Sequence, residues 1–246
     1  MMNAILEKIG ALRLVPVVKI ENSKDAVPLG QALLAGHLPI AEITFRTAAA
    51  QAAIRALTAE LPDLLVGAGT VLSVDQAKSA VDAGARFMVA PGFNPTVVDY
   101  CLDQGICVVP GVNNPSQIER ALERKLEVVK FFPAEASGGL PFLKAVAAPY
   151  SGIQFLPTGG INLQNLMTYL SFPRVIACGG SWDGRGRSDQ RGQLHGNRKS
   201  IAGSRGGNSG KIWIILNQTK LRSQKKKSIT KTRKGNNKAA ALDYLR

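Results

Sequence analysis

A chain of 246 residues can form one large α/β domain or two small ones. It has no apolar run of the roughly 18 residues that cross a membrane and no basic-then-apolar signal pattern. Its three cysteines (Cys101, Cys107, Cys178) and two histidines (His37, His195) are too few and too scattered for a disulfide framework or a His-based zinc site, so a cytoplasmic protein with reduced thiols is expected.

The net charge of +14 sits at one end: residues 1–182 carry 14 Lys+Arg and 14 Asp+Glu, which leaves the whole excess in residues 183–246. Two kinds of sequence therefore share one chain. Taken in order, a short helix is expected over Asn3–Gly10, with Asn3 as its cap and Gly10 as its stop. An alternation follows. Strands are expected at Arg13–Ile20, Ile40–Arg46, Leu64–Val71, Arg86–Pro91, Ile106–Val112, Val128–Pro133, Ile153–Thr158 and Arg174–Cys178. Helices are expected between them, at Ser23–His37, Ala48–Glu60, Val74–Ala83, Pro95–Gln104, Pro115–Lys125, Leu140–Ala148 and Leu163–Leu170.

The strand starts recur every twenty-odd residues, close to the minimum for a strand, a crossover helix and two loops. Several strands are apolar on both faces, as parallel strands covered by helices are. Eight such units predict an α/β (β/α)8 TIM barrel over residues 1–182. An open doubly wound sheet is the second choice, but no G-x-G-x-x-G follows the first strand and no G-x-x-x-x-G-K-[ST] occurs anywhere.

In a parallel barrel the chemistry lies at the C-terminal ends of the strands. The sixth strand carries Lys130 within Glu127–Glu135 (E-V-V-K-F-F-P-A-E), with Phe132 two residues on along the same face. An ammonium there is costly to bury unpaired, so such a lysine is paired or loses its proton, and an activated amine attacks carbonyl carbon. The structural alternative is a strand-end lysine snorkelling to water. Strand two ends A-E-I-T-F-R, so period-two alternation puts Glu42, Thr44 and Arg46 on one inward face. A Glu42–Arg46 ion pair is the structural alternative there. Strand three ends G-A-G-T, placing Thr70 on the rim beside small residues that leave room for a ligand, and strand four ends at Pro91. After strands seven and eight, Thr158, Gly159, Gly160, Gly179, Gly180 and Ser181 cluster where many barrels bind phosphate with backbone N–H groups. There is no metal-ligand cluster, so neither a metal nor a cofactor is expected. The set suits Schiff-base carbon–carbon chemistry on a phosphorylated keto acid, with the imine as the electron sink.

The blocks Glu42–Thr47, Val66–Val71, Ala90–Gly92, Val129–Glu135, Pro157–Ile161 and Gly179–Trp182 together resemble the 2-keto-3-deoxy-6-phosphogluconate aldolase family, the class I pyruvate-dependent aldolases, in order and spacing over about residues 4–182. The resemblance implies that Lys130 forms the Schiff base and that Glu42 is the general acid/base. It implies that Arg46 and Thr70 hold the substrate carboxylate, that Pro91 and Phe132 wall the pocket, and that Thr158 contacts the hydroxylated part of the substrate. Gly159, Gly160, Gly180 and Ser181 are implied to bind phosphate. Thr158 favours a gluconate-type over a galactonate-type acid, cleavage of 4-hydroxy-2-oxoglutarate is a family side activity, and a homotrimer is the family's usual assembly.

The resemblance stops after Trp182. Residues 183–246 are basic and rich in Gly, Ser, Asn and Gln, the composition of a segment that does not fold alone. Reverse translation of Asp183–Lys199 permits, one base later, the reading M-V-A-G-D-L-I-N-E-G-N-F-T-E-I-E, an ordinary family ending. A one-base insertion after the Trp182 codon is therefore expected, with a barrel lacking its last helix. Losing a few buried Leu/Ile-type side chains at ~1.5–3 kcal/mol each rivals the total stability of a domain, so low solubility or weak activity is expected. The competing use of the tail is a basic arm that binds nucleic acid through phosphates. A phosphate-binding barrel with other chemistry is a third reading, in which Lys130 is dispensable.

Overall fold

Short β-branched runs alternate with alanine-rich amphipathic segments, and in the computed structural model they form a curled parallel sheet wrapped by helices, described over residues 3–181. The strands are β1 (Leu14–Val18), β2 (Ile40–Thr44), β3 (Leu65–Gly69), β4 (Phe87–Val89), β5 (Cys107–Val109), β6 (Gly111–Val112), β7 (Val128–Phe131), β8 (Gln154–Pro157) and β9 (Cys178–Gly180). The helices are α1 (Ala4–Leu12), α2 (Ala26–Ala35), α3 (Ala50–Glu60), α4 (Val74–Asp82), α5 (Pro95–Asp103), α6 (Pro115–Glu123), α7 (Gly139–Ala147) and α8 (Leu166–Leu170). Among the described residues no helix is long and apolar enough to cross a membrane. The expectations for residues 183–246, a basic tail and a shifted reading frame, fall outside the described residues.

All strand pairs are parallel, in the orders β5-β4-β3-β2-β1-β9 and β6-β7-β8. The two pieces join into the predicted eight-strand (β/α)8 barrel. β5 and β6 are halves of the single strand expected at Ile106–Val112, interrupted at Pro110, which has no N–H for a ladder. β8 meets β9 through the bridges Phe155↔Val175 and Thr158↔Gly179. Asn3, Ser73, Asn94 and Asn114 cap α1, α4, α5 and α6 by accepting backbone N–H bonds, with Pro95 and Pro115 in the first turns of α5 and α6.

Several boundaries differ from expectation, four of them for a visible reason. Gly10 does not stop α1, which runs to Leu12 and ends where Arg13 turns left-handed at φ 65°. A side chain at Gly10 would come within 3.0 Å of Ile176, so this glycine serves a close approach. The helix expected over Ser23–His37 opens as a 3₁₀ turn at Ser23–Asp25, with Asn22 accepting from the Lys24 N–H. α8 starts at Leu166 because the Asn162 side chain takes the N–H groups of Gln164 and Asn165 into a local turn. The eighth strand is Cys178–Gly180, not Arg174–Cys178. Phe155 N–H donates to Arg174 O (2.8 Å) and Ile176 N–H to Phe155 O (3.0 Å), so that stretch edges β8 before the chain crosses to β1.

Inside the barrel the glycines of β3 set the packing. A Cβ at Gly67 would lie 2.3 Å from the Phe87 ring, and one at Gly69 would lie 1.9 Å from Glu42 Oε1. These small residues were expected to leave room for a ligand; instead they make room for the barrel's own Phe87 ring and Glu42 carboxyl. On the outer face Phe131 stacks on Phe142 of α7 with ring centroids 6.1 Å apart, which leaves its neighbour Lys130 pointing inward.

Candidate active site

Lys130 lies in the middle of β7, in register with Gly111 of β6 and Leu156 of β8. It is 4% exposed, so it does not snorkel. Its Nζ stands 3.6 Å from Glu42 Oε1 and 5.3 Å from the centroid of the Phe132 ring. Glu42, on β2, is fully buried, and neither of its carboxylate oxygens has a hydrogen-bond partner among the described residues. Burial pushes its carboxyl above the usual range, against the opposing pull of Lys130 and, more weakly, Arg46.

The Glu42 ion pair is thus made with Lys130, and not with Arg46 as the structural alternative had it. Stability does not account for such a pair. Replacing a buried ion pair with packed apolar groups is often neutral or stabilising by about 1–4 kcal/mol, because taking two charges out of water offsets their attraction. What the pair does supply is an amine and a carboxyl with unused hydrogen-bonding capacity, facing each other in the buried interior. That is the apparatus for nucleophilic attack with local proton transfer.

Arg46 corrects the expectation of three inward side chains on β2. The strand ends at Thr44, whose hydroxyl donates to Val18 O (3.2 Å), and Arg46 stands exposed in the turn beyond. There its Nε donates to Thr70 Oγ1 (3.2 Å), so cation and hydroxyl meet at the mouth, at the ends of neighbouring strands. Thr70 holds φ 55°, a conformation that costs a β-branched residue about 1–3 kcal/mol and that clusters at ligand sites.

The bridge between Thr158 and Gly179 brings the ends of β8 and β9 side by side. Thr158 is buried, and its hydroxyl has no partner among the described residues. A side chain at Gly179 would sit 2.4 Å from that oxygen, so Gly179 shapes the Thr158 site from within. The carbonyls of Thr158, Gly159 and Gly160 are all tied. Thr158 O accepts from Ala134 N–H (2.8 Å), Gly159 O from Glu135 N–H (3.0 Å), and Gly160 O from the side-chain amides of Asn162 (3.3 Å) and Asn165 (3.1 Å). Gly159 and Gly160 have φ +98° and +83°; the bridge to Gly179 turns the Gly159 N–H toward β9, while the N–H groups of Gly160 and Ile161 donate to no protein acceptor among the described residues. Tied carbonyls beside free N–H groups are the arrangement that can cradle an anion. Ser181, exposed just past β9, and Gly180, buried at its end, adjoin it.

Pro91 and Phe132 are both half-buried. Pro91 packs its carbonyl against Gly111, the register neighbour of Lys130, and Phe132 lies beside Gly159. The structure therefore links Lys130 to Glu42 and Phe132, Arg46 to Thr70, and Thr158 to the glycine cradle. The sequence reading did not single out Asn162, Asn165, Glu135 or Tyr169 as shapers of this region. The N-L-Q-N spacing after a Gly-Gly pair was the available signal for the two asparagines.

The family described as aldolase, KDPG and KHG aldolase, matches residues 5–194, past the Trp182 at which the resemblance read from the sequence stops. A 2-dehydro-3-deoxy-phosphogluconate aldolase of Treponema pallidum is 52% identical over 181 residues, covering 74% of this chain and 86% of that protein. The crystal structure of a KDPG aldolase from Legionella pneumophila, with pyruvate captured at low pH as a covalent carbinolamine intermediate, superposes with a TM-score of 0.71 at 39% identity, over 73% of this chain and 87% of that one. A 2-keto-3-deoxy-6-phosphogluconate aldolase of Zymomonas mobilis with 3-phosphoglycerate gives 0.72 at 34% identity, over 86% and 92%.

Proposed function

The chain belongs to the KDPG and KHG aldolase family, and from that premise we propose that it cleaves 2-keto-3-deoxy-6-phosphogluconate to pyruvate and glyceraldehyde 3-phosphate through a Schiff base on Lys130. One observation carries the site assignment: a buried amine 3.6 Å from a buried carboxyl that has no other partner among the described residues.

The Lys130 amine adds to the keto carbon of the substrate, giving a carbinolamine. Proton transfer through Glu42 lets water leave, and the iminium forms. The Glu42 carboxylate then takes the proton of the C4 hydroxyl, the C3–C4 bond breaks, and its electron pair moves into the iminium to give an enamine and the aldehyde. A proton returned to C3 regenerates the iminium, and water releases pyruvate and the free amine. A carboxyl pushed up by burial is a stronger base than an exposed one and so suits work that takes and returns a proton. Arg46 and Thr70 receive the substrate carboxylate at the mouth, and Pro91 and Phe132 wall the pocket. Thr158 faces the hydroxylated carbons, and Gly159, Gly160, Gly180 and Ser181 hold the phosphate. By the chain's resemblance to the family, a threonine at position 158 favours the gluconate-type acid over the galactonate-type, and 4-hydroxy-2-oxoglutarate is a second substrate.

The enzyme acts in the cytoplasm as a homotrimer, with residues 1–182 as the catalytic unit and residues 183–246 as the product of a shifted frame. The test is pyruvate release from 2-keto-3-deoxy-6-phosphogluconate by the full chain and by Lys130→Met. Turnover abolished by the substitution is expected; turnover that survives it overturns the proposal. Ultracentrifugation reads the assembly, and an independent clone with the annotated frame intact after Trp182 contradicts the frame assignment.

A further inference from the structure

The anion cradle has an unexpected neighbour. Glu135, an acidic residue, packs directly against it: a side chain at Gly160 would lie 2.6 Å from both Cβ and Cγ of Glu135. The backbone N–H of Glu135 donates to Gly159 O (3.0 Å) and so helps to shape the cradle. Its carboxylate is another matter, because a negative charge beside a phosphate site opposes binding. Glu135 is exposed and free to take other rotamers, but its Oε1 accepts a hydrogen bond from the Tyr169 hydroxyl at 2.5 Å. Tyr169, on α8, is 1% exposed and therefore fixed in place. Burial, the bond to Glu135 and that carboxylate's charge push its hydroxyl far above the ordinary phenol range, so it remains a donor at any working pH. The tie crosses from the β7–α7 loop to α8, so the Glu135 side chain runs past Gly160 and its carboxylate ends against Gly139 and Tyr169.

We propose that Tyr169 is a positioning residue for phosphate recognition: its hydroxyl holds the Glu135 carboxylate off the cradle at Gly160 and Ile161, and without that tie the carboxylate folds over their free N–H groups as an internal competitor for the phosphate. This rests on the cradle being the phosphate site of the proposed aldolase. A purely structural role predicts damage that no change at Glu135 repairs. A competing charge predicts repair when the charge is removed.

The test measures inorganic phosphate binding to the full chain by titration calorimetry, and KM and kcat for the phosphorylated substrate. Borohydride trapping of pyruvate serves as a phosphate-free control. Tyr169→Phe is expected to weaken phosphate binding and raise KM about tenfold, the effect of one nearby unit charge at a partly solvated site, with pyruvate trapping unchanged. Tyr169→Phe with Glu135→Gln is expected to return both to within about twofold of the parent. Glu135→Gln alone, which keeps the backbone bond and an acceptor for Tyr169, is expected to bind phosphate at least as tightly as the parent and covers the case in which Tyr169→Phe fails to fold. A double variant as weak as Tyr169→Phe, or Glu135→Gln weaker than the parent, overturns the proposal. Failure of pyruvate trapping in the parent while these phosphate effects hold would fault the Schiff-base assignment and leave the role of Tyr169 standing.

Discussion

Gly69→Ala should disable catalysis by displacing Glu42, although it replaces no reacting group. A methyl at this position would stand 1.9 Å from Glu42 Oε1 and 2.4 Å from Cδ and Cγ, whereas ordinary contact begins near 3.4 Å. The carboxyl must therefore retreat by about 1.5 Å, and Glu42 has no slack in a fully buried site. Misplacement of a catalytic group by about 1 Å costs on the order of a hundredfold, or about 2.7 kcal/mol in the barrier. Overpacking also destabilises the fold by ~1–3 kcal/mol, so a control must carry that strain alone. Gly67→Ala does so, because its methyl would meet the Phe87 ring first, at 2.3–2.5 Å. The assay is steady-state cleavage of the phosphorylated keto acid beside a thermal melt of each variant. Both should lose Tm to a similar degree, and kcat should fall about a hundredfold in Gly69→Ala and only a few-fold in Gly67→Ala. Equal losses of kcat, or a parent-like kcat in Gly69→Ala with a lowered Tm, would refute the reasoning.

Lys130→Met leaves the Glu42 carboxyl buried without its partner and should lower stability by ~3 kcal/mol at neutral pH; adding Glu42→Gln should restore most of it, as chemical denaturation of both variants will show. Because the folded-state value of Glu42 is raised, the stability it contributes is fully present below the unfolded carboxylate range and is lost as pH rises through the raised value. Glu42→Gln, which cannot ionise, should therefore gain in Tm on the parent as pH rises from about 4 to 8, and a difference that stays flat or narrows contradicts the shift. Cys101, Cys107 and Cys178 are buried, and burial pushes their thiols up to about 11, about 12 and about 12. None should react with iodoacetamide at pH 8 until the barrel unfolds, which mass spectrometry of native and urea-treated chain will read. Thr158→Val removes a buried hydroxyl that has no partner among the described residues. It should leave Tm equal or higher by melting analysis while kcat/KM for the hydroxylated substrate falls about tenfold or more.

The barrel was legible because parallel strands buried on both faces read as apolar runs at a steady spacing, and Lys130 was legible because it interrupts one such run. Its partner was harder to foresee. Glu42 and Arg46 lie four residues apart with the right alternation for a shared face, but the strand stops at Thr44 and hands Arg46 to Thr70. The role of Gly67 and Gly69 was misjudged because sequence shows which residues are small, not which neighbouring side chain fills the space. The eighth strand slipped because the apolar run around Val175–Cys178 does not show where the chain leaves β8 and joins β1, which only closure of the barrel sets. Glu135 was visible as part of a motif, but its partner Tyr169 lies 34 residues away on a five-residue helix with no periodic signal. The tail after Trp182 stood out because charge balance changes abruptly there, a compositional fact independent of fold.

The central claim is that Lys130 is the amine that forms the Schiff base. Its most direct test is peptide mass spectrometry of the full chain after incubation with pyruvate and borohydride. A reduced pyruvate adduct on Lys130, lost in Lys130→Met and absent without borohydride, is the predicted result. Folded protein that acquires no adduct, or acquires it on another lysine, would contradict the account.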